Sequence, residues 1–377
     1  MKSVPTKKNH TIGAALFAAA MALPFSNSVF AEAAPEHGIV AFKYLNYQDS
    51  QPGIDRMGIN AYSVTSTMPF AGEWSIGTTY TYDSVSGASP SYHTAPQGFS
   101  YHIHDIRRAE ELQLTRYFSR GTLTAGTIYS KESDYISRSF SLQGSLSTED
   151  KNTTVTFGGS YTNDDITALD FNERKRVRAG MFGITKVLTK QDIVQLNFGF
   201  SRGDGFFIDP YKMWDNRPRK RNSSTVLTRW NHHFDGIDGT TRIGYRYYTD
   251  TFDIKAHTLS AEYVQLLGND WIVTPSARLH SQTAASFYVP VGAGELANQA
   301  DATIPAGVFY TEDQRMSAFG ALTLGIKVSK RIANAWLVDV KYEHAEQRPS
   351  WSITGGGDPG IAPFSFKSIQ LGLSREL

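Results

Sequence analysis

In the stretch "RIGYRYYT", apolar or aromatic side chains fall at every second position: Ile243, Tyr245 and Tyr247 share one parity, with Arg242, Gly244, Arg246 and Tyr248 between them. A β-strand turns these two sets to opposite faces. The same period runs through "AWLVDVKYEH", where Trp336, Val338, Val340 and Tyr342 alternate with Leu337, Asp339, Lys341 and Glu343. In "WIVTPSARLH" the sets are Trp271, Val273, Pro275, Ala277 and Leu279 against Thr274, Ser276, Arg278 and His280. In "MSAFGALTLGIKV" the apolar set is Met316, Ala318, Leu322, Leu324, Ile326 and Val328. About sixteen such segments occur, near 39–47, 56–67, 73–83, 107–118, 121–132, 135–147, 152–162, 174–187, 192–202, 221–234, 239–251, 254–267, 270–282, 314–328, 334–346 and 364–377.

The connections alternate in length. Short ones ("MPFAGE", "SRG", "STEDKN", "LTKQD", "DGIDG", "LGND", "SKRIAN") take turns with longer ones, notably 84–106, 203–220, 283–313 and 347–363. A transmembrane β-barrel sorts its loops in this way, with tight periplasmic turns and longer extracellular loops, whereas a two-sheet sandwich has no reason to. The hydrocarbon layer holds no water, so every strand N–H and C=O must pair with a neighbour, and only a closed sheet achieves that. The pattern predicts an all-β fold: one transmembrane antiparallel β-barrel of about sixteen strands, with fourteen or eighteen as alternatives. Trp74, Trp271, Trp336, Tyr80 and Tyr82, near segment ends, suit interfacial girdles.

The N-terminus changes the compartment. Lys2, Lys7 and Lys8 precede the apolar stretch "TIGAALFAAAMALPF", and Val29 and Ala31 occupy the small-residue positions before a cleavage site. Residues 1–31 read as a signal peptide and 32–377 as the barrel. The chain has no cysteine and, beyond the signal, no apolar run of the length a membrane helix needs. At the other end Ile369, Leu371, Leu373 and Arg375 alternate toward Leu377, the pattern that outer-membrane assembly machinery reads, although an aromatic final residue is usual there. The cell outer membrane of a Gram-negative bacterium is the expected location. The competing reading is an exported soluble β-protein that ends in an edge strand.

Charge contributes detail and no global field. Lys and Arg total 37 against 36 for Asp and Glu, which gives no reason to expect nucleic acid as a partner. If the apolar parity meets lipid, the polar parity lines the lumen. The candidate lining residues are Arg174, Arg176 and Arg178, set against Val177, Ala179 and Met181, then Arg229, Arg242, Arg246 and Arg278, with the acids Glu111, Glu262, Asp339 and Glu343. Either separated charges favour polar or charged solutes in a pore, or they pair and plug the interior. The loop "GDGFFIDPYKMWDNRPRKRNS" carries a basic cluster of Arg217, Arg219, Lys220 and Arg221. It folds inward as a constriction, faces anionic lipopolysaccharide, or is an ordinary solvated charge run, which is the commonest reading of such a loop.

Other chemistry is thinly supported. His102 and His104, with His93 upstream and Asp105 adjacent, would share one strand face, but two ligands do not make a metal site. No metal or other cofactor is expected. Nucleophile-elbow, zincin, P-loop and dinucleotide motifs are absent, and "TNDDIT" reads as a turn, so no enzyme is expected. Nothing singles out Asp134, Asp164, Asp165 or His93 as a rim catalyst.

The phrases "FFIDPYK", "RPRKR", "RWNHHF" and "RIGYRYYTDTFDIKAHTLSAEY", within residues 206–263, resemble a family of bacterial proteins of unknown function predicted to be outer-membrane β-barrels. The resemblance runs through most of the mature chain and brings no catalytic motif. Relatives encoded beside small lipoproteins, thioredoxin-like proteins and flavin-attaching transferases imply a supporting role in a periplasmic or surface redox assembly. Two functions are therefore expected alternatives: a porin-like channel for small polar or charged solutes, or a non-conducting scaffold for a periplasmic or surface partner. Outer-membrane lipid and lipopolysaccharide surround either one.

Overall fold

The computed structural model describes residues 33–88, 102–169, 171–212, 214–290, 306–333, 335–353 and 356–377. The signal segment lies outside the described residues. Strands run in chain order as β1 (Ile39–Gln51), β2 (Ile54–Phe70), β3 (Trp74–Ala88), β4 (His102–Phe118), β5 (Gly121–Lys131), β6 (Tyr135–Ser147), β7 (Thr153–Ile166), β8 (Glu173–Val187) and β9 (Asp192–Gly205). There follow β10 (Asp215–Asn216), β11 (Lys220–Phe234), β12 (Gly239–Asp250), β13 (Lys255–Leu267), β14 (Trp271–Gln282), β15 (Tyr310–Thr311), β16 (Phe319–Ile332), β17 (Trp336–Arg348) and β18 (Phe364–Glu376). All but β10 and β15 form one closed antiparallel barrel of sixteen strands, each paired with its neighbour along the chain, and β18 closes on β1. The two short strands pair with each other outside the wall.

Cross-strand partners share a face, so the register carries one strand's orientation around the ring. Gly144, Phe157, Phe182, Phe198, Val226 and Tyr247 form a single row over six strands. The large members of such rows are solvent-exposed, among them Phe157, Phe182, Phe198, Phe200, Leu142 and Leu196. The opposite parity of β6 and β7 is mainly Ser, Thr, Gln and Gly. A soluble barrel hides its apolar parity inside; this one presents it outward, and so large an apolar exterior suits a bilayer. Phe200 lies over Gly180, where an added Cβ would come within 2.5 Å of the ring. A glycine there lets the ring lie flat on the wall.

The end with both termini carries the tight turns. In the three-residue turn between β13 and β14, Asn269 and Asp270 both take positive φ (59° and 61°), which Asn and Asp tolerate better than most residues. Trp74, Trp271 and Trp336 each begin a strand just after such a turn. Each has a cation from the adjacent strand over its ring: Arg116 at 5.2 Å, Lys330 at 4.6 Å and Arg375 at 5.2 Å. This girdle marks one membrane boundary.

Three sequence expectations are corrected. Met316 and Ala318 do not belong to a strand; Asp313 accepts a hydrogen bond from the Arg315 N–H and caps a 3-10 turn at Gln314–Met316, and Met316 is buried in a loop core. Asn163, Asp164 and Asp165 do not form a turn but extend β7. Arg174, Arg176 and Arg178 do not line the lumen: they share the parity of the exposed Phe182 and Ile184 and face outward, while Val177, Ala179 and Met181 face inward.

Candidate functional site: lumen wall and mouth

The inward parity of β11 to β14 supplies Arg229 on β11, Arg242 and Arg246 on β12, and Arg278 on β14, with Glu262 on β13 between them. All four are exposed although they point into the barrel, so the space beside them is open. Glu262 faces Arg242 in register at 3.9 Å, and Arg278 donates to the Thr323 hydroxyl at 3.3 Å. Among the described residues no carboxylate lies within ion-pair distance of Arg229 or Arg246. Further round, Asp339, Lys341 and Glu343 share the inward face of β17, and Lys341 pairs with Glu343 at 2.9 Å.

Half the ring away, on β2 to β5, the inward residues are mostly hydroxyls. Thr115 and Thr124 meet at 2.9 Å, Thr81 donates to Ser63 at 3.4 Å, and Thr65 lies 3.5 Å from Thr79. Glu111 stands among them, accepting from Gln113 at 2.5 Å. Below the mouth the lumen is thus asymmetric: a guanidinium wall faces a hydrogen-bonding wall of hydroxyls with Glu111 among them, while Asp83, Asp105 and Arg107 of the same strands stand at the mouth.

At the end opposite the tight turns, inward ion pairs ring the mouth: Asp83 with Arg107 at 2.6 Å, Asp164 with Lys175 at 3.0 Å and Asp250 with Arg221 at 2.6 Å. Above them, residues 206–219 and 306–318 interlock through the β10–β15 pair. Arg217 bonds Asp215 and Asp313, each at 2.8 Å, while Arg315 bonds Asp313 and Asp209. Asp215 and Asp313 have fully buried side chains. Burial alone would raise the Asp313 pKa, but Arg315, Arg217 and Lys212 hold its carboxyl well below the usual range. Lys212 is buried with no hydrogen-bond partner for its ammonium among the described residues. Burial lowers its pKa, with Asp313 opposing and Arg315 and Arg56 adding repulsion. Arg56 stands on β2, seven strands round the ring from β9, and the Tyr211 hydroxyl donates to Asp134 after β5. The 206–219 loop therefore reaches across the mouth.

The basic loop cluster divides. Arg217 is sequestered in this knot, and Arg221 turns inward to Asp250 and stacks on Phe252 at 4.6 Å, so the solvated-run reading fails for both. Arg219 stays exposed and pairs with Glu173 at 2.6 Å, and Lys220 is exposed. Of the histidines, His104 is exposed on the outward face of β4; His93 and the His102 side chain lie outside what is described. Sequence reasoning missed Asp313, Arg315 and Glu132, and named Asp105 and Asp134 without seeing that their carboxylates gather with that of Glu132 within 4.8 Å of one another beside the mouth. No local pattern marks these contacts.

The family described as "Protein of unknown function (DUF3570)" matches residues 13–102, 94–172 and 169–368, and the chain belongs to it. No curated protein matches its sequence. Among solved structures, a bacterial polysaccharide outer membrane secretin is similar with a TM-score of 0.53 and 8% identity over 90% of this chain and 98% of that one. The outer membrane protein opdK of Pseudomonas aeruginosa is similar with a TM-score of 0.44 and 10% identity over 91% and 99%. OccK2 (OpdF) of the same organism, in complex with glucuronate, gives 0.45 and 11% over 90% and 98%. The protein is an outer-membrane β-barrel.

Proposed function

We propose that this member of a family of unknown function is a passive, porin-like channel for small polar solutes, with a preference for anions. One observation carries the reading: Arg229, Arg242, Arg246 and Arg278 are exposed on the inward face of β11, β12 and β14, and among the described residues Glu262 is the one carboxylate within ion-pair distance of them. A dry interior would charge several kcal/mol for each unpaired guanidinium, so their presence argues for water in the lumen. Sixteen strands leave room for an aqueous passage. Opposed to a hydroxyl wall, the arginines set a transverse field that draws anions to one side. The loop knot narrows the entrance without supplying a transported group.

A second reading has its own support. The loop that reaches from β9 toward Arg56 favours a non-conducting scaffold that seats a periplasmic or surface partner, in keeping with a supporting role in a redox assembly. Insertion of the folded protein into planar bilayers separates the two. The channel gives discrete, ohmic conductance steps; a folded sample without conductance supports the scaffold.

A further inference from the structure

The arginines of β8 that turn away from the lumen form a second cationic surface. In the lower of two outward rows, Tyr161, Arg178 and Arg202 are consecutive partners across β7, β8 and β9. In the row above, Arg138, Asn163, Arg176, Asp204 and Lys220 follow one another. Asp165 is already shared by Arg138 at 2.6 Å and Arg174 at 3.1 Å. Arg178 and Arg202 directly face each other, both exposed, and among the described residues neither has a carboxylate within ion-pair distance. Like charges directly opposite in a ladder repel, and an anion between them relieves that repulsion.

Height identifies the anion's source. The outward run on β9 is apolar from Val194 to Phe200, and Phe200, 62% exposed, is the last large apolar side chain before Arg202. The eight residue steps from Val194 to Arg202 span about 26 Å of strand, or roughly 20 Å along a tilted barrel axis, against an apolar band of about 25 Å. The paired arginines therefore lie at the upper edge of the hydrocarbon, on the side of the longer loops. We propose that this surface binds the phosphate groups of the outer-leaflet glycolipid, Arg178 and Arg202 clasping one phosphate while Phe182 and Phe200 meet the acyl chains below. Guanidinium forks match phosphate oxygens in geometry as well as charge.

Native mass spectrometry of the detergent-solubilised barrel with diphosphoryl lipid A, its dephosphorylated form and phosphatidylglycerol tests this. The wild-type protein retains diphosphoryl lipid A in preference to both others. Arg178→Ser with Arg202→Ser weakens that binding roughly 30-fold, and the double lysine variant recovers most of it. Arg375→Ser, at the opposite membrane boundary, leaves it unchanged. Equal retention of dephosphorylated lipid A or phosphatidylglycerol by the wild type overturns the proposal, whatever the variants do. So does a serine variant that keeps the heat-modifiable mobility of a folded barrel and binds as the wild type does.

Discussion

The mouth and the lumen wall use the same side chain for different ends. In the mouth knot Arg217 and Arg315 are each tied to two carboxylates, and their partners Asp215 and Asp313 are shut off from solvent. Along β11 to β14 Arg229, Arg242, Arg246 and Arg278 stand exposed, with one loose carboxylate contact among them. A buried pair fixes a shape, because removing one partner strands the other in a medium that cannot solvate it. A solvated guanidinium fixes little and leaves its field free to act on whatever passes. The difference separates residues that hold the entrance from residues that stand in open space.

Mutation at the knot breaks the comparison most severely. Asp313→Ala leaves Arg217 and Arg315 short of their shared partner and destabilises the loop assembly by about 3–5 kcal/mol. Limited proteolysis should then cut within 206–219 or 306–318 while the barrel keeps its heat-modifiable mobility. Cleavage unchanged from wild type would mean that the knot does not hold the loops. Lys212→Met acts in the opposite direction: removal of a buried ammonium with no hydrogen-bond partner leaves the loops as stable, or more stable by about 1 kcal/mol. Faster proteolysis of that variant would show that Lys212 is a necessary partner of Asp313 and Asp209.

The mouth also has a pH dependence. Burial, with Asp105 adding repulsion, raises the Glu132 pKa from 4.5 to about 8. The folded state therefore holds this proton more tightly than the unfolded chain does. Its contribution to stability is fully present below pH 4.5 and is lost as pH rises through about 8. Glu132→Gln should flatten the fall in thermal stability across that window. An unchanged profile would assign the fall to another group.

The strand count and the sorting of loops were legible in the sequence because a two-residue period and turn residues are local signals. In β12, Ile243, Tyr245 and Tyr247 mark the outward parity for most of the strand's length. In β8 the same rule misled. Its outward apolar run is short, Gly180, Phe182 and Ile184, and the upper part of the strand stands above the hydrocarbon, where an outward face is free to carry Arg174, Arg176 and Arg178. Val177, Ala179 and Met181 then offered a false apolar parity, and a shift of one residue exchanges the two faces. An inward fold of the basic loop was one open reading, but the partners in the knot were not legible, since Arg217 reaches Asp313 across 96 residues and Arg315 reaches Asp209 across 106.

Changes in the lumen wall should affect stability least. Arg242→Glu and Arg246→Glu replace solvated groups, so each shifts thermal stability by no more than about 0.5 kcal/mol. Loss of assembly in these variants would show that the arginines hold the wall together. Their expected effect is on selectivity, and the zero-current potential of single barrels in a planar bilayer under a salt gradient measures it directly. The wild-type barrel should show a potential of anion-preferring sign, and the double glutamate variant should move it toward cations. Identical potentials in two conducting, folded barrels would contradict the account.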